Sequence, residues 1–577
     1  MRQSNQRIVR TLFVAALLFS VVGARAANWL FRNGKSNYQI VVAADASPSE
    51  RTAALELQDY LLQIGGVQLP ITSEPDRRLR HIFVGYSPQV AALTGESRPK
   101  ADDERFTYRS VERDLLIWGG SQRGTMYGVF TFLERELGVH WLTPDCTVVP
   151  QSRQWRLPKL DHSEQPAIGY RYNNYRCTRD QPVWSAHVKE NMQGPVTNEY
   201  GNQEGYWSCH TMGQLVPSRE FYGTHPEYFS LRDGKRLSWN EQLCLSNPDV
   251  LALCKERLAA VMRKHPGYRI YSLSQNDNYN FCQCPDCAAI EAQYGGHSGL
   301  IVWFVNQVAD AVREEFPDKY VGTFAYQYSR KPPVGIVPRD NVVIRLCSIE
   351  CCFAHPLTAG CPQNEAFMND MQTWAEIAPH LFIWDYIVDY AQYVAPWPNF
   401  HVLAPNIRAF RDNKAIGVFE EAEYQSLGAE FEEMKSWVVN QLLWNPEQDT
   451  DSLVAIFING FYGKAAPRVM DYYRLCQSLV KPDLHFGIYI RENHAIYTDD
   501  FLRQAFAILD EARGQADSDI ILQRVERVRM QPLFLHCMRH REQSRQDGTW
   551  EELILLMRKY NTRPRENQTL EEFLRNG

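Results

Sequence analysis

Carboxylates that directly follow short apolar runs are the residues of this 577-residue chain best suited to chemistry. In "FIWDYIVDY" Asp385 follows Phe382, Ile383 and Trp384, and in "GVFEEAEY" Glu420 follows Val418 and Phe419. In "YSLSQNDNYN" an apolar start gives way to Asn276 and Asp277. A carboxylate at the end of a buried strand is costly unless it is hydrogen-bonded, neutral or functional. Two such acids supply what cleavage of a glycosidic bond requires: one donates a proton to the leaving oxygen, and the other organises the attacking nucleophile. Aromatic residues beside them offer flat faces to sugar rings. They are Tyr326 and Tyr328 in "FAYQYSR" and Trp384 and Tyr386 around Asp385. Asp389, Glu421 and Glu423 occupy further polar positions past the same runs.

Other chemistries find less support. The sequence has no GxSxG nucleophile elbow and no HExxH metal helix. His210 in "SCHTM" can be a ligand, a substrate contact or neither. Cys282, Cys284 and Cys287 form C-x-C-x2-C, whereas a zinc site wants four ligands. Cys351, Cys352 or His355 could contribute one, but nothing in the spacing says so. A disulfide, zinc, or a packed reduced cluster all remain open. We assign no metal ligand set and no cofactor.

These residues need a scaffold. Short apolar runs at 168–175, 269–275, 320–328, 341–348, 381–386 and 415–424 read as strands, and helical patterns lie between them. In "GLIVWFVNQVADAVREEFP" Ile301, Val305, Val308 and Val312 share a face, and Pro317 closes the helix. Such alternation predicts a (β/α)8 barrel over residues 165–428, with two blurred strands near 195–245. Chemistry in a barrel sits where strands end at their C-terminal edge, which is where the acids fall. The structural alternative for Asp385 or Glu420 is an ion pair with a barrel arginine such as Arg345. Residues 27–155 read as an N-terminal α/β domain, with strands at 38–43, 81–87 and 114–120 and helices near 49–66 and 123–138. The polar stretch 150–166 reads as a linker, and residues 429–577 as a helical region.

Residues 1–26 have the form of a secretory signal: Arg2, Arg7 and Arg10, then "TLFVAALLFSVVG", then "ARA" before Ala27. Export to the periplasm, the cell surface or the medium is therefore expected. Removal of that segment deletes four arginines and no acids, so the formal charge of −7 becomes −11. That balance argues against nucleic acid as a partner. No later segment has the apolar length of a membrane span, and export would permit disulfides among the 14 cysteines.

Several blocks together resemble a known family. The segment "RGTMYGVFTFLERELGVHWLTPDCTVVP" (123–150) is similar to the end of the domain preceding the barrels of family 67 α-glucuronidases and family 20 hexosaminidases. More specifically, "HPEYFSLRDGKR" (225–236), "QLCLSNP" (242–248), "SQNDNYNFCQCPDC" (274–287), "IWDYIVDY" (383–390) and "GVFEEAEYQSLGAEFEEMKSWVVNQLLWNPEQD" (417–449) resemble the bacterial domain of unknown function 4838, grouped as glycoside hydrolase family 163. The resemblance implies a retaining endo-β-N-acetylglucosaminidase that cuts the chitobiose core of N-glycans, with a glycan or glycoprotein as its substrate. It also implies that the substrate's 2-acetamido group serves as the nucleophile. Carried over by position, Glu420 is expected as general acid and Asp385 as the acetamido-orienting group. Asp277 is then a sugar ligand or an alternative member of the pair, and Asn276 a sugar contact. This chain has Glu421 where the family often has Gln, Asp389 where Asn is common and "NDN" where "NDG" is common, so linkage and subsite preference stay open.

Overall fold

A computed structural model describes residues 28–192 and 197–576. The expected secretory signal lies outside the described residues. The N-terminal part is a six-stranded mixed sheet. Its order runs Asp161–Glu164, Phe106–Val111, Asp114–Gly119, Arg80–Val84, Tyr38–Val42 and Ile71–Thr72. Helices Pro48–Gly65 and Gly124–Leu137 pack together on it. The first begins with a capping box between Ser47 and Glu50 and ends at Gly66 in the left-handed region, so its limits are written locally. The stretch expected to be a linker contributes two strands instead, Gln154–Arg156 and Asp161–Glu164. The latter is an exposed edge strand of sequence DHSE, which carries no apolar alternation to announce it.

Seven parallel strands follow: β1 (Tyr170–Asn173), β2 (Tyr206–Trp207), β3 (Ile270–Ser272), β4 (Tyr320–Ala325), β5 (Val342–Cys347), β6 (His380–Tyr386) and β7 (Ala415–Glu421). They pair in the order β1-β7-β6-β5-β4-β3-β2. The last strand therefore closes on the first, while β1 and β2 do not pair. The sheet is curled, because the rings of Tyr206 on β2 and Phe382 on β6 lie 5.8 Å apart. Four strand spacings of about 4.8 Å each would separate them in a flat sheet. This is the expected barrel arrangement with seven strands among the described residues, open at one seam. The blurred region is explained by β2, which is only two residues long, and by the small hairpin Leu231–Arg232/Lys235–Arg236. Helices Pro248–Lys264, His297–Val312, Pro362–Ile377, Phe400–Asp412 and Glu432–Trp444 follow or separate the strands.

A buried ionic knot joins the N-terminal sheet to β1. Glu104 accepts Arg123 Nε at 2.6 Å, Arg171 Nη2 at 2.7 Å and Asn191 Nδ2 at 2.9 Å. Burial alone would raise the Glu104 carboxyl, but the two guanidiniums win and hold it below its ordinary value. Arg171 also donates to the carbonyl oxygens of Lys189 and Ile168, tying β1 to the segment behind it.

From residue 450 the chain is helical, beginning with Thr450–Phe461 and Ala466–Gln477. Two of its non-helical segments return to the barrel. Phe486 and Ile488 accept the backbone N–H groups of Phe353 and Tyr390. Further on, Glu566 N–H donates to Tyr390 O at 3.1 Å, and Asn567 and Gln425 exchange two hydrogen bonds at 2.8 Å. No helix among the described residues is long and apolar enough to cross a membrane.

Replacing Glu104 by Ala strands two buried guanidiniums. The expected loss is about 3–5 kcal/mol, read as a lower midpoint in urea, with Glu104→Gln intermediate.

Candidate active site

A cavity of about 400 Å³ opens at the C-terminal end of the barrel strands. Four strands aim residues two apart into it: Phe324 on β4 with Tyr326 just past its end, Cys347 on β5 with Ile349 just past its end, Trp384 and Tyr386 from β6, and Phe419 and Glu421 from β7. That spacing is the two-residue period of a strand, so these side chains share the inner face. Asn174, His210, Asp277, Tyr390 and Tyr424 enter from loops, and Tyr489, Glu566 and Asn567 from the C-terminal region.

Three carboxylates face this space. Glu421 Oε2 accepts the Trp384 indole N–H at 2.7 Å. Burial pushes its carboxyl up to about 7, and the neighbouring Glu566 adds to the rise. Asp277 Oδ1 accepts the Tyr326 hydroxyl at 3.0 Å. Glu566 takes the Tyr424 hydroxyl at 3.3 Å, and it too is raised, by burial first and then by Asp277. Below Glu421 lies Arg345, only 4% exposed. Its guanidinium sits 4.3–5.0 Å from the ring centroids of Tyr206, Trp384, Phe419 and Phe382, and its Nε has no hydrogen-bond partner. The cation restrains the rise at Glu421.

The loop that carries Asp277 is held by side chains. Thr211 Oγ1 donates to Ser272 O, and Ser274 Oγ accepts His210 N–H at 3.0 Å. Gln242 brackets Asn276, its Oε1 accepting Asn276 N–H at 2.9 Å and its Nε2 donating to Asn276 O at 2.8 Å. His210 Nδ1 lies 2.8 Å from Gln275 O. A carbonyl only accepts, so Nδ1 carries a proton.

Of the residues singled out from the sequence, Asp277, Tyr326, Trp384, Tyr386 and His210 converge on the cavity. Asp385 and Glu420 do not. They are paired opposite one another on β6 and β7, but each stands one residue out of phase with the inner face and is turned toward the helices. Asp385 Oδ1 takes the Ser348 hydroxyl, and burial raises its carboxyl to about 6. Glu420 is raised well above its ordinary value, by burial and then by Asp385, and its Oε2 is unpartnered. Neither acid pairs with Arg345, which points the other way. Asn276 is spent on structure, its Nδ2 donating to Glu241 O at 2.7 Å and its Oδ1 accepting Gly213 N–H at 3.0 Å. Tyr328 packs against Phe281 and His297, with centroids 5.2 and 5.3 Å away, and does not line the cavity. Asp389 is buried with an unpartnered Oδ2, and Glu423 binds the N–H groups of Gln425 and Ser426. Glu421, next in sequence to the expected Glu420, is the residue that faces inward. Glu566, Tyr489 and Asn567 carry no signal in their spacing, because they follow no strand.

The family model described as "Domain of unknown function (DUF4838)" matches residues 141–474. No curated protein matches the sequence. Among solved structures, the fold is similar to that of BtGH115A, a family GH115 4-O-methyl-α-glucuronidase with specificity for decorated arabinogalactans. The TM-score is 0.54 at 12% identity, over 91% of this chain and 77% of that one. It is also similar to a family 89 glycoside hydrolase from Clostridium perfringens, with a TM-score of 0.53 at 11% identity. That match covers 89% of this chain and 64% of the other, so this chain spans less than two thirds of it. Both likenesses are of fold.

The raised Asp385 carboxyl binds its proton more tightly in the folded state. Its contribution to stability is full below pH 3.8 and is lost as the pH rises through about 6. Asp385→Asn keeps an acceptor for Ser348 and removes the titration. The fall in urea midpoint between pH 4 and pH 7 should then shrink by ~2–3 kcal/mol in equivalent stability. An unchanged slope would show that Asp385 does not titrate in this range.

Proposed function

The chain belongs to the family of the domain of unknown function 4838, and from that premise we propose that it is an exported glycoside hydrolase. Within that class we propose an endo-β-N-acetylglucosaminidase acting at the chitobiose core of N-glycans, with its acid, Glu421, at a position where the resembled family often has Gln. The observation that carries the hydrolase reading is Glu421. It is a carboxylic acid pushed up to about 7 at the wall of an aromatic-lined cavity, with Asp277 and its tyrosine partner in the same space. A group that keeps its proton near neutrality suits a general acid. The cavity's lining includes no lysine or arginine, while three carboxylates face it. A uronic acid would meet repulsion there, and this favours a neutral sugar over the uronic acid that an α-glucuronidase on a similar fold would take. The family 89 hydrolase of similar fold was solved with 2-acetamido-1,2-dideoxynojirimycin, which accords with a 2-acetamido sugar here.

The proposed reaction runs through two residues and the substrate's own acetamido group. Glu421 gives its proton to the glycosidic oxygen as the bond from C1 to that oxygen breaks. The 2-acetamido carbonyl oxygen attacks C1 from the opposite face while the Asp277 carboxylate accepts a hydrogen bond from the acetamido N–H, so an oxazolinium ion forms. Water then attacks C1, losing its proton to the Glu421 carboxylate, and the ring opens with the configuration retained. Tyr326 holds Asp277, and the Trp384 and Phe419 rings flank the sugar. Relative to the sequence expectation, the acid moves from Glu420 to Glu421, and the acetamido-orienting role from Asp385 to Asp277.

Incubation with an N-glycoprotein followed by mass spectrometry should show release of the intact glycan, with one N-acetylglucosamine left on the protein. Monosaccharides alone would sink the endo-acting reading. Glu421→Gln and Asp277→Asn should each lower kcat by at least ~100-fold, while Asp385→Asn and Glu420→Gln stay within ~10-fold of the parent. Glycan binding without turnover in the parent would identify a binding protein instead. Activity should fall as the pH rises through about 7, where Glu421 loses its proton. A flat profile from pH 5 to 9 would remove Glu421 from the role.

A further inference from the structure

The fold brings Cys244 to the three cysteines of the C-x-C-x2-C motif. The sulfurs of Cys244, Cys282, Cys284 and Cys287 all lie within 4.8 Å of one another, and every one of the four residues is buried. Cys244 Sγ is 3.6 Å from Cys284 Sγ and 3.9 Å from Cys287 Sγ. Four thiolates at 2.3 Å from a tetrahedral zinc ion stand about 3.8 Å apart. The surroundings suit a charged cluster. Cys282 Sγ accepts Leu231 N–H at 3.3 Å and lies 3.8 Å from Arg236 Nη1, and Cys284 Sγ accepts Cys287 N–H at 3.5 Å at the start of helix Pro285–Tyr294. Backbone N–H groups and a guanidinium directed at sulfur offset thiolate charge, as partners around a metal site do.

We propose that these four cysteines hold a structural zinc ion. With four protein ligands the site is closed, so its work is mechanical. It fastens the hairpin at 231–236, the segment around Cys244 and the loop leading out of Asp277. Gln242, two residues before Cys244, is the side chain that brackets Asn276 beside Asp277.

A second set stands independently. Cys352, His355, Cys361 and His485 present ligand atoms within 4.8 Å of one another. His355 Nδ1 is 3.3 Å from Cys352 Sγ, and His485 Nδ1 is 3.5 Å from Cys361 Sγ. His355 Nε2 lies 3.0 Å from Pro482 O, so the proton is on Nε2 and the Nδ1 lone pair faces the thiols. We infer a second zinc there, joining the loop after β5 to the C-terminal segment around His485.

Elemental analysis of the full chain, purified without chelator, should find two zinc ions per molecule. Cys244→Ser and Cys284→Ser should each lose one, and His485→Ala, at an exposed position, should lose the other. Cobalt-loaded parent protein should show intense thiolate-to-cobalt charge transfer and tetrahedral d–d bands, which requires no variant to fold. Disulfides among the first four cysteines, mapped by non-reducing peptide mass spectrometry, or a metal content untouched by both cysteine variants, would overturn the first site. A parent holding one ion, retained in His485→Ala, or a Cys352–Cys361 disulfide, would overturn the second.

Discussion

The guanidinium of Arg345 is the point around which the barrel end is organised. It carries a charge into the interior with no direct ion pair among the described residues, and four aromatic rings from β2, β6 and β7 take that place. A desolvated cation over ring faces is worth ~2 kcal/mol or more per favourable contact. Those same contacts draw the short β2 against strands it does not pair with. The sheet lacks a hydrogen-bonded seam between β1 and β2, so side-chain contact across the interior does work that backbone pairing does elsewhere. Trp384 joins the two levels of the site: its ring lies on Arg345, and its N–H holds Glu421.

The position of the acids follows from strand phase. Along β6 and β7 neighbouring residues look in opposite directions, so Trp384, Tyr386, Phe419 and Glu421 face the cavity while Asp385 and Glu420 face the helices. The sequence carries the strands plainly, because "LFIWDY" and "AIGVFEE" are continuous apolar runs. It does not carry their phase. A parallel strand covered on both faces is apolar on both, and no alternation marks the inner side. Asp385 against its neighbours, and Glu420 against Glu421, are therefore indistinguishable in the sequence as inward or outward residues. The loop residues behaved differently. Asp277 and Tyr326 are legible as polar groups at strand ends and His210 only as a loop histidine of open role, whereas the amide of Asn276 is consumed by the backbone of its neighbours. Tyr328 lies just past β4, in a 3-10 turn that carries it into a separate aromatic cluster.

The outward pair is also informative. Asp385 and Glu420 share a dry space, and both are shifted toward the neutral form, the state in which one carboxyl can hydrogen-bond without isolating a charge. Their retention at adjacent strand ends needs no reaction to explain it. In contrast, the cavity acids are reached from three distant parts of the chain: Asp277 after β3, Glu421 on β7, and Glu566 near the C-terminal end. The helical region, which looks like an appendage in the sequence, supplies one wall of the site.

That last arrangement has a consequence for how the molecule comes into being. The segment bearing Glu566 is anchored by Tyr390 and Gln425, residues made well over a hundred positions earlier. Residues 170–421 alone form a barrel whose mouth is still missing a wall, and the pocket acquires its third carboxylate only when the segment around Glu566 docks. Without the segment around Glu566 and Asn567 every barrel strand would be intact and the cavity unfinished.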